Sequence, residues 1–195
     1  MNLLCELSYS ISLMALILSI ETATKACSVA LHYQGELVAC QTLFIAKSHA
    51  ESLLPMIAHL LTISPYTKKD LAAMAVSEGP GSYTGLRIGV ATAKGLGYAL
   101  GIPLIAVNTL EAMAYGVGPY NFSQALLCPM IDARRMEVYC LISDAVGRVL
   151  AAPHPHIINS NSFRSWLAQN PMLFFGDGAE KCKPALASHR HAIFL

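Results

Sequence analysis

The sequence predicts an α/β protein made of two copies of one βββαβα unit, with the second copy truncated. Three observations carry that prediction. Short apolar runs alternate with longer helical patterns in an order that partly recurs along the 195 residues. The halves also match in residue type: Ser19-Ile20-Glu21-Thr22-Ala23 answers Met130-Ile131-Asp132-Ala133-Arg134, and Gly35 to Ala39 answers Gly147 to Ala151. Each half finally runs from an apolar strand into a Gly-x-Gly turn, Gly79-Pro80-Gly81 and Gly176-Asp177-Gly178. Self-similarity of this kind marks a structural repeat.

In the first copy, Leu16 to Ile20, Cys27 to Tyr33 and Glu36 to Phe44 read as strands, and Gln34-Gly35 is a hairpin turn. A helix is expected from His49 to about Leu61, opened by a Ser48-x-x-Glu51 capping box, with Leu53, Leu54, Ile57, Leu60 and Leu61 on one face and a bend at Pro55. His49 and His59 should lie at the edge of that face, partly in solvent. Leu71 to Val76 is a fourth strand, and a long helix follows from Tyr83 to Leu100. Leu104 to Val107 is a fifth strand, and a short helix comes after it.

The second copy offers strands at Leu126 to Asp132, Glu137 to Ser143 and Arg148 to Ile158, a helix over Asn161 to Gln169, and a strand at Met172 to Phe175. The chain ends at Leu195, soon after Gly-x-Gly, which gives the expectation of an incomplete second lobe. The domains expected are therefore 14–115 and 116–195, preceded by an extension, 1–13, with Met14 the more natural start. The apolar run Ile11 to Ile20 is too short to span a bilayer, and Glu6 rather than a cation precedes it.

Composition excludes several classes. The chain is 54% hydrophobic and 13% charged, which argues against disorder and for a large apolar surface shared with a partner. A formal charge of +1 is not that of a protein that grips nucleic acid alone. Six cysteines with no C-x-x-C pair sit mostly in apolar runs, as small hydrophobes in a reducing cytoplasm would.

Gly79-Pro80-Gly81-Ser82-Tyr83-Thr84-Gly85-Leu86-Arg87-Ile88-Gly89 is the most informative stretch. A dinucleotide fingerprint would need this motif after a first strand and an acidic residue about 20 positions on, and neither holds here. Ser82 and Thr84 read as turn and cap hydroxyls, since no base is placed to activate them. Gly85, Gly89, Ala93 and Gly97 recur every four residues and make one small-residue ridge. Helical glycine costs about 1 kcal/mol relative to alanine, so another backbone is expected close to this helix. Its polar arc, Arg87, Lys94 and Tyr98, is narrow, so either a partner helix covers it or it is buried on all sides.

Two βββαβα lobes, each with an acidic residue leaving its first strand (Glu21, Asp132), resemble the RNase H-like fold of the actin, sugar-kinase and Hsp70 superfamily. There, the resemblance implies, glycine-containing first hairpins clamp ATP phosphates. Glu21-Thr22-Ala23-Thr24 has no glycine, and Asp132-Ala133-Arg134-Arg135 places bulk where phosphates would approach, so no nucleotide cofactor is expected. The closer resemblance is to the threonylcarbamoyladenosine branch of that superfamily, and within it to the TsaB or YeaZ family of bacterial tRNA-modification proteins. It rests on Glu21, Gly79, Pro80, Gly81, Gly85, Arg87, Asp132 and Arg134 in their blocks, with Pro103 to Thr109 and Glu137-Val138-Tyr139.

The resemblance implies a non-catalytic subunit that stabilises and positions the catalytic paralogue TsaD, with TsaE, an ATPase, as a further partner. It implies a cytoplasmic place, contact with tRNA only through the complex, no membrane, and a homodimer when alone. TsaD holds a metal through a His-x-x-x-His pair, and Thr109 and Met113 stand at those positions here. No metal is therefore expected, and His154-x-His156 and His189-x-His191 do not restore a ligand set. No residue is expected to be catalytic. The partner interface is expected on Leu53, Ile57 and Leu60 of the first helix and Leu86, Gly89, Val90, Ala93 and Gly97 of the second. The rival readings are an independent ATP-dependent kinase or hydrolase of this fold, which needs the missing phosphate turns, and a metallopeptidase, which needs the missing histidine pair.

Overall fold

A computed structural model describes residues 15–45 and 48–195; the expected extension and start at Met14 lie outside the described residues. The first sheet holds β1 (Leu16–Glu21), β2 (Cys27–Tyr33), β3 (Glu36–Leu43), β4 (Leu71–Gly79) and β5 (Leu104–Asn108), in the order β3-β2-β1-β4-β5. The second holds β6 (Leu126–Asp132), β7 (Glu137–Ser143), β8 (Val149–Ile157), β9 (Met172–Phe175) and β10 (Ala192–Phe194), in the order β10-β9-β6-β7-β8. The two orders are the same permutation. In each sheet the first three strands are antiparallel neighbours and the fourth joins the first in parallel. The duplication read from the sequence is thus the architecture.

The chain divides into compact units, 1–78 with 82–107, and 108–195 with 79–81. The boundary falls at Val107 rather than after residue 115, because helix α3 (Thr109–Val117) packs on the second sheet. Its Leu110 and Ala114 are buried with Leu127, Ile131, Leu141 and Phe175. The second unit differs from the first in its helices rather than in its strands. The second sheet has all five, while α4 (Arg164–Leu167) and α5 (Ala179–Leu186) are short. The helix expected over Asn161 to Gln169 shrinks to α4 for a local reason. Asn159 Oδ1 accepts from Asn161 N–H at 2.8 Å, Ser162 Oγ accepts from Asn159 N–H at 3.0 Å, and Phe163 sits at φ 60°. Such side-chain bonds offer the backbone an alternative to the helix.

In the first unit, α1 (His49–Ile63) lies over β2 and β3 and runs through Pro55 without ending. Its buried face is Leu53, Met56, Ile57 and Leu60, with Leu61 at the margin; Leu54 is 54% exposed, so Met56 takes the place expected of it. The expected capping box does not form: the Ser48 hydroxyl donates to the Ile45 carbonyl at 2.9 Å instead. Helix α2 (Tyr83–Leu100) is capped by Ser82, whose Oγ accepts from Gly85 N–H, and closed by Gly101 at φ 67°. The Gln34-Gly35 turn has both residues at positive φ, the two-residue hairpin geometry whose twist suits flanking strands. Among the described residues, no helix is long and apolar enough to cross a membrane.

Candidate functional site

The turn after β1 is sealed from within. Glu21 Oε1 accepts from Ala23 N–H at 2.6 Å, and the Ala23 carbonyl accepts from Ser82 N–H at 2.6 Å. His49 Nε2 reaches the Thr24 carbonyl at 3.1 Å. That contact explains why His49 is 7% exposed, against the expectation of a partly solvated side chain; His59 is exposed as expected. Thr22 is wholly buried, wedged beneath α2, and its hydroxyl has no hydrogen-bond partner. A Cβ on Gly85 would overlap the Thr22 carbonyl, and one on Gly89 would overlap the Thr22 hydroxyl. At Gly97 it would lie 2.9 Å from Leu104 Cδ2. The small-residue ridge is therefore filled by the chain's own strands.

That outcome corrects the expected interface. Gly89, Ala93 and Gly97 are buried inside the first unit, and Leu53, Ile57 and Leu60 are core, 5% exposed or less. Leu86 and Val90 are half-buried, and Val90 packs on the same core. The side of α2 that faces solvent carries Tyr83, Arg87, Ala91, Lys94, Gly95 and Tyr98. Arg87 lies over the Tyr83 ring at 5.4 Å and donates to its hydroxyl at 3.2 Å. Gly95 has nothing within 4 Å of an added Cβ, so no packing among the described residues accounts for a glycine there.

The turn after β6 repeats the device of the first. Asp132 Oδ1 accepts from Arg134 N–H at 2.7 Å, two residues on, as Glu21 does for Ala23. Asp177 Oδ1 accepts from Asp132 N–H at 3.0 Å. Lys181, on the first turn of α5, pairs with the Asp132 carboxylate and donates to the Glu137 carbonyl at 2.6 Å. Arg134 and Arg135 both adopt left-handed backbone, φ 71° and 45°, which non-glycine residues rarely do. A phosphate arriving at either turn would meet a carboxylate already holding the amide it needs. Of the family-motif residues, Gly79 (φ 114°) ends β4 and Pro80 follows through a cis peptide before Gly81. Lys181 and Thr22 escaped the sequence reading; the only signal for Lys181 was a lysine placed shortly after the second Gly-x-Gly.

Thr109 opens α3 with its hydroxyl buried and unpartnered, and the Met113 methyl would meet a Cβ on Gly176 at 2.6 Å. A neutral hydroxyl and a thioether packed on backbone do not suit a hard divalent ion. Among the described residues no group of three or more His, Cys, Asp or Glu is arranged to hold a metal. Cys128, Cys140 and Cys182 lie in the second core, and burial, reinforced by the hydrogen bond to Cys140, pushes the Cys128 thiol well up. A thiol so shifted is inert rather than nucleophilic.

His156 Nε2 meets Ser162 Oγ at 3.1 Å and its ring stacks on Phe163 at 4.8 Å. Burial first, and then the neighbouring His154, lower its pKa. The fold therefore favours neutral His156. That contribution is complete above the ordinary histidine value of about 6.5 and is lost as pH falls through the lowered one. Melting temperature should drop between about pH 7 and about pH 5, and His156→Gln should shrink the drop. An unchanged pH profile in the variant would remove this assignment.

The sequence model of the family described as "TsaD: tRNA N6-adenosine threonylcarbamoyltransferase" matches residues 43–189. The chain is 44% identical over 123 residues to the tRNA threonylcarbamoyladenosine biosynthesis protein TsaB of Escherichia coli K12, covering 63% of this chain and 52% of that protein. It is 37% identical over 123 residues to the TsaB of Bacillus subtilis 168, covering 63% and 52%. The chain thus spans about half the length of the curated relatives it matches. Among solved structures, YeaZ from Pseudomonas aeruginosa superposes with a TM-score of 0.65 at 32% identity, over 74% of this chain and 68% of that one. A P. aeruginosa protein described as similar to peptidase YEAZ gives 0.72 at 30%, over 83% and 75%.

Proposed function

The chain belongs to the TsaD-type tRNA N6-adenosine threonylcarbamoyltransferase family, in its TsaB (YeaZ) branch, and on that premise we propose that it is a non-catalytic subunit of the transfer machinery. In this reading it binds the catalytic subunit TsaD and positions it, with TsaE joining the assembly. The reaction moves threonylcarbamoyl onto the adenosine beside the anticodon of tRNAs that read codons beginning with A. The chain works in the cytoplasm, meets tRNA only within the complex, and pairs with a second copy when alone.

The observation that carries this reading is the pair Thr109 and Met113, a buried hydroxyl and a packed thioether where a catalytic paralogue needs two imidazoles. Two further features support it. In each strand-exit turn one backbone amide is already held by the turn's own carboxylate, Ala23 N–H by Glu21 and Arg134 N–H by Asp132, which disfavours an arriving phosphate. The outer side of α2 also keeps Gly95, which internal packing does not require.

Co-elution with TsaD from the same organism is the direct test, and Gly95 gives it a residue. Relative to alanine, a helical glycine costs about 1 kcal/mol, so Gly95→Ala should stabilise the isolated chain by about 0.5–1 kcal/mol. Gly95→Leu should stay folded by circular dichroism yet weaken TsaD binding roughly ten- to hundredfold, the effect of overpacking a close contact. Normal binding by Gly95→Leu would move the interface off α2. A wild-type chain that never joins TsaD would end the partner reading itself.

A further inference from the structure

The second unit carries a cleft of about 340 Å³ lined by Tyr115 at the end of α3, Pro119 and Gln124 of the loop that follows, and Ala145, Val146 and Gly147 of the β7–β8 turn. This is within the range of pockets that hold a small organic ligand. Its walls are apolar and its polar groups uncharged. The Tyr115 ring is 77% exposed, and neither its hydroxyl nor the side-chain amide of Gln124 bonds to another described residue, although the Gln124 backbone N–H donates to the Asn121 carbonyl. Gly147, at φ 88°, closes one side; a Cβ there would rest on the Tyr115 ring at 3.7 Å. Tyr120 and Phe122, 76% and 89% exposed, follow Pro119 on the same loop.

The loop is built rather than loose. Asn121 is 5% exposed and donates through Nδ2 to the Ala125 carbonyl at 2.8 Å, while its Oδ1 accepts from the Ser123 hydroxyl at 2.8 Å. These bonds hold Gln124 at φ 54°, a conformation that costs a non-glycine residue energy and that clusters at functional sites. Gln124 is thereby one of the residues that line the cleft.

The geometry points to a site for one unpaired nucleobase of the tRNA, stacked on Tyr115 and read at its edge by Gln124. The inference rests on the tRNA-modification reading of the chain. An uncharged slot with a flat exposed ring and an amide that can both donate and accept suits a base, whose faces are apolar and whose edge carries both kinds of group. Three exposed aromatic side chains within eight residues, Tyr115, Tyr120 and Phe122, match the platforms on which splayed bases stack. Among the described residues none of those lining the cleft is charged; Arg148, next to Gly147 in the chain, has a side chain that is 79% exposed and lies 4.0 Å from Asp144. The site therefore adds stacking and edge recognition to a grip that the rest of the complex supplies, which agrees with the chain's formal charge of +1.

The test uses the complex reconstituted with TsaD and TsaE, and tRNA carrying photoreactive 4-thiouridine. Cross-links should map to Tyr115, Tyr120 or Phe122. Tyr115→Ala should remove them and raise the KM for tRNA roughly five- to tenfold, as expected for one lost stacking contact. The kcat and co-elution with TsaD should not change, and Tyr115→Phe should keep both cross-link and KM. Gln124→Ala should raise KM with the cross-link retained. Unaltered KM and cross-links in Tyr115→Ala would overturn the site. Loss of TsaD co-elution in Tyr115→Ala would also overturn it, by making the cleft a protein contact. If the wild-type chain fails to join TsaD, the partner reading falls separately. The site is then decided by titrating the full chain with an anticodon stem-loop RNA at concentrations high enough to replace the missing grip, with perturbation of the Tyr115 ring supporting it and none refuting it.

Discussion

Gly85→Ala should abolish cooperative folding of the first unit. The added methyl would enter the Thr22 carbonyl, which is backbone and cannot rotate away as a side chain could. Thr22 follows β1, the central strand of its sheet, and the adjoining Ala23 carbonyl is bonded to Ser82 N–H at the start of the same helix. Relief therefore requires that α2 lift off the sheet. Overpacking typically costs about 1–3 kcal/mol, and a clash with fixed backbone belongs to the tail above about 4 kcal/mol. A domain of this kind has only about 5–15 kcal/mol in hand. Thermal melting followed by circular dichroism checks this, and a wild-type melting temperature would refute it. The expected sign is opposite to that of Gly95→Ala on the same helix, nearly three turns on, which makes the pair a strong test of which side of α2 faces inward.

Phe174→Ala should be nearly as damaging to the second unit. Phe174 is fully buried on β9, between Phe163 at 5.4 Å and Phe194 at 5.3 Å between ring centroids. Truncating such a residue costs about 3–5 kcal/mol, part transfer and part cavity. The first core, around Leu18, Leu31, Leu60 and Met74, shares no residue with this cluster. Hydrogen exchange should accordingly show lost protection in β6, β7 and β9, with amides of β1 and β4 retaining more of theirs. A loss below about 1 kcal/mol in denaturant would contradict the assignment of Phe174 as the centre of that core.

The fold was legible because its signals are local and repeated. Short apolar runs gave the strands, Gln34-Gly35 and Gly147 gave the hairpins, and the matched acidic residues revealed the duplication. The ridge Gly85, Gly89, Ala93 and Gly97 correctly announced a close backbone, but not whose. Spacing places residues on a helix face; it does not say which side of the helix meets the sheet. The contact that decides it, Thr22, lies some sixty residues away in the chain. His49 was misplaced for the same reason, since its partner, the Thr24 carbonyl, is distant in sequence. Capping at Ser48 and the length of α4 turned on one or two side-chain hydrogen bonds, where several local geometries lie within about 1 kcal/mol of each other. The cleft beside Tyr115 left no motif, because three segments without a shared pattern form it.

The prolines of β8 have a consequence for self-association. That strand is the outer edge of its sheet, and Pro153 and Pro155 lack the N–H groups that an added strand would need. The corresponding edge of the other sheet, β3, is eight residues long and carries no proline. Of its two long antiparallel borders, each molecule therefore has one able to accept a neighbour's backbone and one that refuses it. A particle with two adhesive borders grows into a filament. Closing β8 removes one such border, so a neighbour's strand that adds to an antiparallel edge of this chain has to add at β3.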